Sequence, residues 1–216
     1  MEEAISKFLL LAPAILLAIT VHEFSHALVA WRLGDDTAYR LGRVTLNPIR
    51  HLDLVGTAVF IITAWMGMGF GWAKPVPFNY LRMKNVRVGF IGVSAAGPVA
   101  NILAAILLGI VFILFSKLAP VFFIEYKIYL FIVTAMWINL VLAFFNLLPL
   151  PPLDGSGIVT GLLTPGLAVK YQRIGRYGIF ILLALILLPQ LSFDAPDLLD
   201  YLVRKPATFM MDLLLR

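Results

Sequence analysis

The chain has no cysteine. That excludes a disulfide framework and any thiolate metal site, so a transition metal would have to be held by histidine and carboxylate. Charge is scarce as well: Asp, Glu, Lys and Arg make up 13% of the 216 residues, about half the usual share of roughly 25%. What is abundant is apolar surface, at 61% of residues and a mean hydropathy of +0.95, which excludes an ordinary water-soluble domain. The sequence is that of an integral membrane protein, leaving no room for a second, soluble domain, and it contains no internal repeat or low-complexity tract.

The net charge is +5 and the pI about 9.6, but the basic residues sit in loops between apolar runs. There they orient helices and meet anionic headgroups of the lipid bilayer, so nucleic-acid binding is rejected. The N-terminus, MEEAISK, is acidic, and the first apolar run continues past any small-residue cleavage site, so the first helix is expected to stay.

Apolar runs cover 8–33, 54–72, 88–115, 126–150 and 177–191, with a shorter one, 155–169, interrupted at Thr164-Pro165-Gly166. A crossing needs roughly 20 apolar residues. The expected fold is therefore an all-α polytopic membrane protein with about five to six transmembrane or re-entrant helical segments. The 54–72 run is short and carries Gly56, Gly67, Gly69 and Gly71, and basic residues flank it on both sides (Arg32, Arg40, Arg43, Arg50; Lys74, Arg82, Lys84, Arg87). A full crossing would put two basic loops on opposite faces, so a re-entrant segment is expected, with 34–87 cytosolic and both termini outside. Residues 38–47, AYRLGRVTLN, read as a short β-hairpin or edge strand near the membrane surface, able to receive an unwound peptide by strand addition. Residues 192–216 read as a C-terminal amphipathic surface helix.

Within the first run stands VHEFSHALVA, residues 21–30. In a helix His22 and His26 share one face a turn apart, with Glu23 beside them. This is the HExxH spacing, in which two histidines bind zinc and the glutamate is general base for the attacking water. Burying ionisable groups at that depth costs on the order of 3 kcal/mol each, which favours function over packing. A catalytic zinc needs a third protein ligand, and the candidates are His51, Asp53, Glu125 and Asp154. If the first helix surfaces near Leu33, the histidines lie about 10 to 16 Å beneath the membrane face at 1.5 Å per residue. Asp154, in PLPPLDG just past the fourth long run, can fold back to that depth from an irregular backbone lining a wet cavity.

HEFSH, the downstream LDG, GRVTLNPIRHLDLVGT, GWAKPVP and GPVAN together resemble the site-2 protease family of intramembrane zinc metalloproteases, in the small form without PDZ or CBS domains. The resemblance runs from about residue 10 to 165. It implies that His22, His26 and Asp154 hold one Zn²⁺ per chain and that Glu23 activates the water. Asn146 would be a donor that stabilises the oxyanion or holds the substrate backbone, although the residues alone allow Asn139 and Asn146 to be interhelical hydrogen bonds. Gly97-Pro98 with Asn101 read as close helix packing and a kink.

The expectation is a multi-pass cell-membrane endopeptidase cutting transmembrane segments of other proteins. Residues 1–191 would form the metalloprotease domain and 192–216 the tail. The competing reading, from the residues, is a metal-ion transporter or metal-gated membrane protein, since intramembrane His and carboxylate also line ion pathways.

Overall fold

Two of the helices here begin where an Asn or Asp side chain accepts an otherwise free backbone N–H group. Asp53 takes the N–H of Gly56 at 2.8 Å and Asn85 that of Val88 at 3.1 Å; Asn47 and Asn79 do the same for two single 3₁₀ turns. The computed structural model describes residues 2–65, 71–119, 121, 128–191 and 196–216. The helices among them are α1 (Glu2–Arg32), α2 (Thr37–Arg40), α3 (Leu54–Trp65), α4 (Val86–Leu118), α5 (Ile128–Asn146), α6 (Asp154–Leu162), α7 (Pro165–Leu191) and α8 (Lys205–Leu214).

Four segments, Phe8–Arg32, Val86–Leu118, Ile128–Asn146 and Pro165–Pro189, are long and apolar enough to cross a membrane. The expected five to six segments included re-entrant ones, and two shorter apolar helices, α3 and α6, stand beside these four. The 155–169 run splits into α6, too short at nine residues to cross, and the start of α7. The 54–72 run yields the 12-residue α3; Gly67 and Gly69 lie outside the described residues.

Helix α4 is the centre of the packing, touching α1, α5 and α6. Its buried positions recur every four residues: Gly89, Val93, Gly97, Asn101, Ala105 and Gly109. Most are small, which lets neighbouring backbones approach closely where lipid removes the hydrophobic drive for association. Leu103, Leu107, Ile110 and Leu114 of the same helix stay exposed, a surface suited to lipid rather than water. Arg87 ties α6 to α4: its Nε and Nη2 donate to the carbonyls of Gly161 and Leu162, at 2.6 and 3.0 Å, and so cap the C-terminus of α6.

Residues 38–47 do not form a strand, so the proposed receipt of a peptide by strand addition there is withdrawn. The Asp35 carboxylate accepts from the amide and hydroxyl of Thr37, starting α2, and Ala38 is buried in a cluster with Ala27 and Val76. Gly42 then turns the chain at a φ of +65°, a conformation few other residues adopt. Arg43 is buried and donates to the Lys74 carbonyl. These non-local contacts override the β-branched pattern. Among the described residues the single β-bridge is antiparallel, between Leu52 and Ala73.

The C-terminal segment packs on the bundle. Val203 clusters with Leu148, Leu153 and Leu182, and Ala207 is buried with Ala105 and Leu140. Helix α8 thus lays one face on α4 and α5, where the small Ala207 permits close approach, while Phe209 and Leu213 stay exposed.

Candidate metal centre

The 21–30 stretch is regular helix in the C-terminal third of α1, and its spacing puts His22 and His26 one turn apart, with rings 4.6 Å between centroids. Both are buried. They rest on α4 at Gly97, where a β-carbon would come within 2.5 Å of His22 Cε1 and 2.6 Å of His26 Nε2. Only glycine lets two imidazoles lie against the α4 backbone.

The third group arrives from the other end of the chain. After α5 the backbone turns through 147–153, burying Leu148 and Leu153, and delivers Asp154 as the first residue of α6. Its Oδ2 lies 3.0 Å from Nε2 of His22 and 3.3 Å from Nε2 of His26. Among the described residues His22, His26 and Asp154 form the one cluster with metal-ligating geometry, their donor atoms all within 4.8 Å of one another.

The far sides of the imidazoles decide what these three atoms can hold. His26 Nδ1 is 2.7 Å from the carbonyl oxygen of Val93. A carbonyl accepts only, so the ring proton is assigned to Nδ1 and Nε2 is left with a lone pair. His22 Nδ1 is 2.6 Å from Asn101 Oδ1, with the same result. Two lone pairs therefore face the buried Asp154 Oδ2, which has no hydrogen-bond partner despite its short distances. With both rings neutral, three electron-rich atoms converge here and fit a cation, and two imidazoles with one carboxylate are a donor set suited to zinc.

Glu23 stays off this cluster. Its Oε2 accepts the backbone N–H of Val76 at 3.2 Å, so the stretch around Pro75 and Pro77 lies across it, itself held by Arg43 at the Lys74 carbonyl. Along the same face of α1, one turn before Glu23, Ile19 opens an apolar cleft of about 200 Å³ between α1 and α3, lined also by Ala12, Ile15, Phe60, Ile61 and Trp72.

The other candidates are accounted for differently. His51 is fully buried and bonds the Thr45 carbonyl through Nε2 at 2.8 Å, and Asp53 caps α3. Neither joins the cluster, and Glu125 lies outside the described residues. Asn146 donates to Leu142 of its own helix at 3.0 Å, whereas Asn139 makes the interhelical bond, to Asn101. The sequence reading gave Gly97 and Asn101 to packing alone; the signal available for Asn101 was an amide inside an otherwise apolar span.

Comparison with known proteins places these features in context. The sequence model for Peptidase family M50 matches residues 122–189, a stretch that includes Asp154. The chain is 40% identical over 181 residues to the Bacillus subtilis (strain 168) protein named "Putative zinc metalloprotease YwhC", covering 83% of this chain and 80% of that one. It is 31% identical over 215 residues to the Mycolicibacterium smegmatis protein named "Putative zinc metalloprotease Rip2", covering 92% and 78%. No solved structure matches the chain at a significant level.

Proposed function

From the premise that the chain belongs to peptidase family M50, the site-2 protease family of zinc metalloproteases, we propose that it is an intramembrane endopeptidase of the cell membrane whose substrates are transmembrane segments of other proteins. The observation that carries the reading is the convergence of the Nε2 atoms of His22 and His26 on the Asp154 carboxylate, with both Nδ1 atoms turned to carbonyl oxygens, on helices apolar enough to cross a bilayer.

In this reading His22, His26 and Asp154 hold one zinc per chain. When bound, zinc supplies a Lewis acid that polarises the scissile carbonyl and makes water acidic near neutral pH. Glu23 takes the proton of the attacking water and delivers it to the leaving amine. Asn146 serves as a donor to the developing oxyanion or the substrate backbone; substitution of one such donor typically costs 10²- to 10³-fold in kcat. The cleft between α1 and α3 leads along α1 to Glu23 and is the side from which an apolar segment would approach. A helical substrate hides its carbonyls in i to i+4 hydrogen bonds, so it is unwound before attack, and helix-weakening residues near the cut speed cleavage. Residues 1–191 form the protease domain with the 192–216 tail packed on it, and residues 34–87 face the cytosol.

The test uses purified wild-type and Glu23→Gln protein in detergent, measuring zinc per chain and cleavage of a panel of single-span membrane proteins. One zinc in both with cutting by wild type alone is expected. Zinc bound without cutting by either, or ion flux retained in Glu23→Gln, would turn the reading toward transport.

A further inference from the structure

The Asn101 amide uses both of its N–H donors and its carbonyl oxygen. Its Nδ2 donates to the Ala18 carbonyl at 3.0 Å and to Asn139 Oδ1 at 2.8 Å, and its Oδ1 faces His22 Nδ1 at 2.6 Å. The Ala18 carbonyl fixes the sense of the amide, because only an N–H can face an acceptor. Turned the other way, Asn101 would place oxygen against oxygen and offer an N–H to His22, forcing the ring proton onto Nε2 and closing that atom to a metal.

Asn139 is fixed by the same logic one step further out. Its Nδ2 donates to the Ala135 carbonyl at 2.8 Å, so its Oδ1 must point to Asn101. Both asparagines are fully buried. The chain of bonds runs from a carbonyl of α5 through two amides on α5 and α4 to a ligand on α1. Every group in it has a partner, and its direction is set by backbone carbonyls at Ala135 and Ala18. Nothing so extended serves His26, whose Nδ1 meets a backbone carbonyl directly.

We infer that Asn101 and Asn139 are positioning residues for the metal centre: the Asn139–Asn101 amide chain holds His22 in its Nδ1–H tautomer, so that metal affinity depends on a side chain of α5 that touches no ligand. This rests on the reading that His22, His26 and Asp154 hold the zinc. Outer-shell partners of ligating histidines typically contribute 10- to 100-fold to metal affinity. Because Asn139 acts through Asn101, the two contributions are not additive.

The test measures zinc affinity of the full chain in detergent by chelator competition, with the absorption spectrum of the Co²⁺-loaded protein as a readout of ligand geometry. Asn101→Leu is expected to weaken zinc by roughly 10- to 100-fold, and Asn139→Leu by roughly 10-fold, each altering the Co²⁺ spectrum. The double variant should be no weaker than Asn101→Leu alone. Asn139→Asp, protonated in this apolar setting, keeps an acceptor for Asn101 and a donor for Ala135 and should retain wild-type affinity and spectrum. Leu140→Ala, a buried neighbour on the same helix, should lower the melting temperature and leave both readouts unchanged. If Asn101→Leu does not fold, the Asn139→Leu and Asn139→Asp pair carries the test by itself. The inference is overturned if Asn139→Leu leaves affinity and spectrum unchanged, if the two Leu variants add, or if Leu140→Ala weakens zinc equally. A wild type that binds no zinc would instead sink the ligand assignment beneath it.

Discussion

A β-carbon on Gly97 would stand 2.6 Å from Nε2 of His26, so the first helix and the fourth meet at the imidazoles with no side chain between them. The same absent atom makes room for His22, and a single methyl group would push on both donors at once.

Gly97→Ala is therefore expected to abolish stoichiometric zinc binding while the protein remains folded. Overpacking of this kind costs typically 1–3 kcal/mol, which helices at the membrane can absorb by shifting apart. Elemental analysis beside a thermal melt checks it: retained zinc with retained activity would show that the helices separate without disturbing the donors.

Val76→Pro removes the backbone N–H that Glu23 accepts while preserving an apolar residue in an already proline-flanked stretch. Zinc content should stay at wild type and kcat should fall by roughly 10-fold, about 1.4 kcal/mol of transition-state stabilisation. An unchanged kcat would mean that Glu23 does not depend on this segment for its position.

Burial works to raise the carboxyl pKa of Asp35, but hydrogen bonds from the Thr37 hydroxyl and from the backbone amides of Asn79 and Thr37 outweigh it and hold the group below its ordinary value of 3.8. A depressed folded value contributes stability that is present above the unfolded value and lost as pH falls through the folded one. Wild type should accordingly lose melting temperature more steeply than Asp35→Asn below pH 3.8, while at pH 7 the variant should be less stable by roughly 1–3 kcal/mol. Parallel melting curves across that window would exclude the assignment.

With no native cysteine, single cysteines can be introduced without background. Lys84→Cys and Arg173→Cys, at exposed positions, are expected to react with a membrane-impermeant maleimide only from the cytosolic side, and Lys117→Cys, also at an exposed position, only from outside. Labelling of Lys84→Cys and Lys117→Cys from the same side would mean that α4, the one helix between them, does not cross the membrane.

The parts legible in the sequence were those that depend on neighbours along the chain. The long apolar spans and the one-turn spacing of His22, Glu23 and His26 follow from helix periodicity alone. Asp154 was one of four candidates by composition, and depth gave it an edge because the turn after α5 is short. Gly97 and Asn101 read as packing, and Val76 carries no reading, because the groups they touch, His22, His26 and Glu23, lie on another helix and no local pattern encodes such pairings. Residues 38–47 misled for a related reason: Val44 and Thr45 carry β propensity, but the Asp35–Thr37 hydrogen bonds and the burial of Ala38 and Arg43 set the backbone.

His22 and His26 sit on the first helix, and Asp154 opens the sixth, separated by most of the chain's length. In a protein without a single covalent cross-link, an ion gripped by all three would close the largest loop in the fold, restricting the unfolded chain as a disulfide does in a secreted protein. The metal would then be a clasp as well as a reagent, and the protein that loses it would lose at the same moment its chemistry and the fastening between its first and sixth helices.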